Sequence, residues 1–249
     1  MRKSPKLFVA SLCAAAIGAV SAASAAPVTF SNTSGTWSAV SPGGITVNNN
    51  GTANPELRWG TPASNNGQSG YDFDAASDTT VNVPPNTMVE LGTFAHINNP
   101  IYDTSLNSAT LTVGIDIEVD GVSQGTRNFM FDFTHNETPN GSNPCANGDA
   151  NGGGANINGC ADLVTVTNNN LSEDFLVNGV LYTIAILGFE VNGNIVNTLE
   201  TIEKMTNSAK LIGYVTVSEV PIPAAIPLFL SGIAGLGFAG RAKKKKKTA

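Results

Sequence analysis

The sequence has 249 residues, 13 Lys+Arg against 19 Asp+Glu, and an apolar fraction of 41%. That length accommodates one large or two small domains, and the apolar content argues against wholesale disorder. The net charge of −6 conceals a segregation. Arg2, Lys3 and Lys6 crowd the start and Arg241 and Lys243 to Lys247 the end, while Arg58, Arg127, Lys204 and Lys210 alone face all 19 acids, a net of −15 for the interior. So acidic a body argues against a nucleic-acid binder, which needs a basic face to neutralise phosphates.

Residues 1–25 have the layout of a secretory signal peptide: a basic start, an apolar run from Leu7 to Val20, and Ala23-Ser24-Ala25 as the cleavage signature. A signal helix removed by signal peptidase after Ala25 is therefore expected, with a retained N-terminal anchor as the alternative. Leu12 before Cys13 argues against a lipoprotein, whose lipobox wants a small residue there.

The body, residues 26–219, reads as one exported domain with a hydrophobic period of mostly two. Short strands are expected at Val28–Asn32, Thr36–Val40, Glu56–Gly60, Tyr71–Asp74, Thr79–Val83 and Met88–Ile97. From Leu111 to Asp120 the apolar residues occupy odd positions only, which predicts a half-buried strand; Asp120-Gly121 offers a tight hairpin turn. The return strand places Phe129, Phe131 and Phe133 on one face and Asn128, Asp132 and Thr134 on the other. Val180 to Val191 is apolar on both faces and predicts a central strand or strand pair, Thr198 to Met205 hints at a helical turn, and Ala209 to Ser218 reads as a further strand. Many short strands separated by Gly, Asn and Pro predict an all-β fold, a two-layer antiparallel β-sandwich of jelly-roll type.

A long polar excursion runs from Thr134 to Asp162, too rich in Gly and Asn to bury apolar area. Loss of Cys13 with the leader leaves Cys145 and Cys160, which in an oxidising compartment pair most simply with each other. Asp149, Asn151 and Asp162 are candidate ligands for a weak Ca2+ site, although the twelfth position counted from Asp149 is Cys160 rather than the Glu of an EF-hand. The alternative is solvated Asp and Asn in turns; otherwise no cofactor is expected. His135 has no recognisable nucleophile or orienting partner nearby, and neither G-x-S-x-G nor H-E-x-x-H occurs. The expectation is that His135, Asn136 and Asn140 bond backbone groups and fix the loop. In the competing reading, His96, at a strand end, meets His135 in space and makes a metal site. Asp116, Glu118 and Asp120 share one strand face, as a glycosidase pair could, but the same alternation describes any wet strand of an acidic protein.

The C-terminus, residues 220–249, begins Val220-Pro221-Ile222-Pro223-Ala224, continues through an uncharged stretch to Gly240 and ends in a basic tail at 241–247. The 17 residues of 224–240 are at the short end for a transmembrane helix, and the lysines would hold its end on the cytoplasmic side.

This motif–span–basic order resembles the PEP-CTERM class of sorting signals of Gram-negative bacteria, closest to the variant beginning Val-Pro-Leu-Pro-Ala, with Ile222 in place of Leu. Thr134-His135-Asn136 matches the fixed letters of the THxN family of PEP-CTERM proteins, with Glu137 in the variable place. The resemblance implies a chain held transiently in the inner membrane, cut by an exosortase, and released to the cell surface or exterior in association with exopolysaccharide or biofilm matrix. It implies no established enzymatic activity.

The functional expectation is therefore a noncatalytic cell-surface or matrix protein, with glycan binding through aromatics such as Trp37, Trp59 and Tyr71 if these are not core. Two alternatives are an extracellular hydrolase acting on matrix polysaccharide and an uncleaved, membrane-anchored adhesin.

Overall fold

The computed structural model describes residues 26–82, 87–167 and 172–219. The expected signal peptide, sorting motif and transmembrane span at 224–240 lie outside these residues. The first half of the domain carries β1 (Val28–Ser41), β2 (Thr46–Asn48), β3 (Glu56–Trp59), β4 (Thr61–Pro62), β5 (Ser69–Ala75), β6 (Thr79–Val81), β7 (Thr87–Asn98) and β8 (Ile101–Tyr102). The second carries β9 (Ser108–Val119), β10 (Val122–Asn136), β11 (Asp162–Val166), β12 (Ser172–Val177), β13 (Val180–Val191), β14 (Asn194–Val196), β15 (Thr198–Thr201) and β16 (Met205–Glu219).

All pairings between the strands are antiparallel among the described residues, and they form two curled main sheets packed as a sandwich. One has the order β15-β11-β10-β9-β1-β6; the other runs β12-β13-β16-β7-β5-β3-β2, with β14 on β13. A short β4–β8 pair stands apart.

The strongest periodic signals fold as the residue pattern dictates. Leu111, Val113, Ile115, Ile117 and Val119 of β9 are all buried, and so are Phe129, Phe131 and Phe133 of β10. Asp120 and Gly121 join these strands with φ of 51° and 76°, the left-handed pair that a two-residue hairpin turn demands. The two candidates at 28–32 and 36–40 are one strand, β1, whose register against β9 shifts between Ser31 and Ser34 and again between Ser38 and Ser41. The expected helical turn at 198–205 is not one: β15 pairs with β11, Val164 opposite Leu199, and turns Leu199 and Thr201 inward. Cross-strand pairing there overrides a weak local preference.

The sheets meet in an aromatic core. Phe94 of β7 stacks on Phe133 of β10 across the sandwich, centroids 4.9 Å apart and planes 14° off parallel, with Phe189 and Trp37 against Phe133 at 6.0 and 5.6 Å. Each such ring, fully buried, contributes about 1.5–3 kcal/mol relative to exposure. Trp37, Trp59 and Tyr71 belong to this interior, at 2%, 2% and 0% exposure, so they are core residues and not sugar-stacking platforms.

Strand β7 contains the irregularity that shapes the site. Gly92 pairs with Leu211 and Glu90 with Ile212, leaving Leu91 as an extra residue. Before this bulge the inward residues are Val89 and Leu91; after it they are Phe94, His96 and Asn98. A Cβ on Gly92 would lie 2.3 Å from the Phe73 ring, so only glycine allows the strand to pass that close.

Candidate functional site: a buried histidine–carboxylate cluster

The loop end of the sandwich is polar inside. On β10 the inward face continues from Phe133 to His135; on β7 it continues from Phe94 to His96 and Asn98. Tyr71 and Ser69 arrive from β5, Trp59 from β3, Asp162 from the first position of β11 and Thr201 from the last of β15. All of these are buried. The His96 and His135 rings lie edge to face at 5.0 Å, with Trp59 stacked against His96 at 5.8 Å.

The hydrogen bonds define orientations. The Thr201 hydroxyl lies 3.2 Å from the Asp162 carbonyl oxygen, to which it donates, and 2.9 Å from His96 Nδ1. With its one proton committed, Thr201 Oγ1 accepts from Nδ1–H, which leaves the lone pair of His96 on Nε2. That Nε2 is buried and has no hydrogen-bond partner. His135 Nδ1 is 2.7 Å from the Tyr71 hydroxyl, and its Nε2 faces Glu137 Oε2 at 3.5 Å. Ser105 Oγ donates to the same Glu137 oxygen at 3.0 Å. Asp162 Oδ1 accepts from the Thr138 backbone N–H at 2.7 Å, while its Oδ2 is buried without a partner. Asn98 holds the Thr201 carbonyl through Nδ2 at 2.8 Å, and its Oδ1 is also unpaired.

The electrostatics follow from burial of like charges. Burial, then the charges of Glu137 and Glu203, pushes the Asp162 carboxyl up to about 8, against the Thr138 hydrogen bonds that favour the charged form. Glu203 is raised by burial and by Glu137; the Asn140 side chain and Lys204 counter this, although neither Glu203 oxygen meets a donor at hydrogen-bonding geometry. Burial and the neighbouring His135 hold His96 well below the usual histidine range, so it is neutral at pH 7. Burial, with Asp162 and Glu137 behind it, keeps the Tyr71 phenol protonated.

The long loop is the lid of this cluster. Cys145 and Cys160 are bonded, with Cα atoms 5.3 Å apart, and both are buried. Closing a loop of this length stabilises by about 3 kcal/mol in the chain-entropy picture. Asn151 Nδ2 donates to the Asn140 and Ser142 carbonyls at 2.8 and 3.0 Å, and the buried Asn156 accepts from Ala161 N–H at 2.9 Å. The Thr138 hydroxyl lies 3.0–3.2 Å from the Cys160 and Ala161 carbonyls and from Asp162 Oδ1.

These findings correct the expected role of His135. Its side chain does not bond the loop backbone; it turns inward to Tyr71 and Glu137, and Thr138, Asn151 and Asn156 organise the loop. Thr134 and Asn136, its neighbours in the motif, alternate to the exposed face. The three residues considered for Ca2+ have separate surroundings. Asp149 is exposed in a turn, Asn151 spends its amide on carbonyls, and Asp162 lies in the histidine cluster. The histidines do meet: one ligand atom each from His96, His135 and Asp162 lie within 4.8 Å of one another, as do those of Glu137, Asp162 and Glu203. Of the carboxylates considered for glycoside chemistry, Asp116 accepts hydrogen bonds from Thr126 and Asn32, which hold it below its ordinary range, the opposite of what a general acid needs.

Sequence reasoning did not single out Tyr71, Thr201 or Glu203 for the site. A signal was present for His135, which is in phase with Phe129, Phe131 and Phe133. No protein-family model matches this chain, and comparison with curated proteins finds no match either.

Proposed function

We propose that this chain is an exported, noncatalytic cell-surface or extracellular-matrix protein, delivered by its leader and matured at its C-terminal sorting signal by an exosortase. The observation that carries this reading is the buried Cys145–Cys160 disulfide, because such bonds persist in oxidising compartments outside the cytoplasm. The leader, the motif–span–basic tail and the Thr134-His135-Asn136 motif supply the route and the family resemblance. The finer architecture is read as jelly-roll-like, from the crossing of the chain between sheets at β1–β2 and β6–β7. The burial of His96, His135 and Asp162 supports a noncatalytic role, since a polysaccharide chain cannot reach them. With Trp37, Trp59 and Tyr71 inside, contact with exopolysaccharide falls to the polar outer faces, where Thr112, Asp116, Glu118 and Thr126 stand on neighbouring strands.

Mass spectrometry of the protein recovered from its own cells tests the reading. A mature chain beginning at Ala26 and ending before Arg241, found at the surface or in the medium, is expected. A membrane-bound chain that still ends in lysines would favour the anchored adhesin. Release of sugars from native matrix by the purified chain would favour the hydrolase.

A further inference from the structure

We propose that His96, His135 and Asp162 bind a divalent transition-metal ion of the Zn2+ type, with Glu137 as the fourth donor, and that the ion clamps the two sheets together beneath the disulfide loop.

Three independent observations converge on this site. The first is geometric: two imidazoles and a carboxylate from strands β7, β10 and β11, far apart in sequence, bring ligand atoms within 4.8 Å of one another in a buried space. The second is a pair of open lone pairs. His96 Nε2 and Asp162 Oδ2 are buried and unpartnered, although buried polar atoms are nearly always satisfied. A cation between them would satisfy both at once.

The third is the set of outer contacts, which has the form that metal ligands require. Thr201 fixes His96 as the Nδ1–H tautomer with Nε2 free, and Tyr71 stands at Nδ1 of His135, where its oxygen can accept from N–H when Nε2 ligates. Ser105 orients Glu137, and the Thr138 N–H orients Asp162.

Charge points the same way. Glu137, Asp162 and Glu203 crowd this end, yet three of the four Lys and Arg among the described residues are paired elsewhere. Arg58 pairs with Glu56 and Asp72, Arg127 with Glu173, and Lys210 with Glu90. Lys204 is exposed. Among the described residues there is thus no buried cation for the carboxylates at this end.

The ligand types choose among ions. Ca2+ takes six to eight oxygens, whereas imidazole suits Zn2+ and its first-row neighbours. Four protein donors, three of them buried, leave no open position for a substrate, so the ion is structural. Because β7 belongs to one sheet and β10 and β11 to the other, such an ion joins the layers where the aromatic core ends.

The test uses the full chain, purified, stripped with chelator and titrated with Zn2+ by calorimetry. One Zn2+ per chain is expected, with Kd tighter than about 1 µM. X-ray absorption of the Zn2+-loaded wild-type protein should show two nitrogen ligands at about 2.0–2.1 Å alongside oxygen. His135→Gln and Asp162→Asn should each weaken binding by more than about 100-fold, while Asp149→Ala leaves it unchanged. The wild-type measurements stand whether or not those variants fold. No saturable Zn2+ binding, an all-oxygen shell, tighter binding of Ca2+ than of Zn2+, or loss of binding on Asp149→Ala would each overturn the proposal.

Discussion

Strand β10 carries two kinds of interior on one face. Phe129, Phe131 and Phe133 meet Phe94 and Phe189 in a dry core, and two residues further the same face presents His135 to Tyr71, His96 and Glu137. Tyr71, His96 and His135 are buried as the rings are, yet the two regions are held by different physics. The aromatic half needs nothing beyond its own rings, because removal of apolar area from water is favourable whatever the surroundings. The polar half is stable only when its groups are paired, and several of them are not. Burial alone therefore does not make a region part of the core in the energetic sense, and the orphaned atoms of the polar half are what distinguish it.

The comparison can be broken most forcefully on the aromatic side. Phe133→Ala should cost about 3–5 kcal/mol in denaturant unfolding of the full chain, because three facing rings lose a partner and a cavity remains. Replacing both cysteines by serine should cost about 3 kcal/mol by the same measurement, and it should loosen the lid over the cluster more than the aromatic end. Hydrogen exchange can read that difference: amides around Asp162 should lose protection while those around Phe131 keep it.

Subtler changes sharpen the contrast on the polar side. Thr201→Val removes the acceptor that fixes His96 Nδ1–H and should weaken Zn2+ binding by about 10- to 100-fold, with less effect on the fold itself. The pH dependence of the chelator-treated protein is the smallest effect and has a definite sign. Above pH 6.5 the unfolded chain has ionised carboxylates and neutral imidazoles, while folded Asp162 retains its proton until about 8. Native protein then binds more protons than unfolded, so stability falls as pH rises through this window, by at most about 1.4 kcal/mol per unit for one group. The charges of Glu137 and Glu203 carry the fall to higher pH by raising Asp162, the raised Glu203 carboxyl acts in the same direction, and Lys204 at the rim opposes that rise. Below pH 6.5 His96, whose neutrality is enforced, drives the opposite slope. Urea midpoints between pH 6.5 and 8 should show the decline in wild type and a flatter profile in Asp162→Asn.

Much of the aromatic half was legible beforehand. The odd-position stripes of β9 and β10 and the Asp120-Gly121 turn follow from a period of two and from the backbone that such a turn needs. The disulfide was legible too, from the two cysteines that residues 26–219 contain. The cluster was harder. His135 could be placed inward by continuing the phase of Phe129 to Phe133, but polar composition in the following loop suggested a surface role. His96 was hidden by the bulge at Leu91: Val89 and Leu91 predict odd residues inward, and by that phase His96 would face out. Thr201 was masked by a stretch that reads locally as a turn and becomes a strand only by pairing with β11.

By itself, then, the sequence determined an acidic, strand-rich body between two basic ends, the inward faces of its most regular strands, and a single pair of cysteines to staple its longest loop. These are properties of local period, composition and count, and they need no partner strand. The tertiary structure decided that two histidines 39 positions apart share one buried space with Asp162, which in turn adjoins Glu137 and Glu203. That outcome depends on a one-residue bulge, on the register of β7 against β16 and on the closure of β11 upon β15. Each is set by how strands fit across the sandwich, and no window of neighbouring residues contains that information.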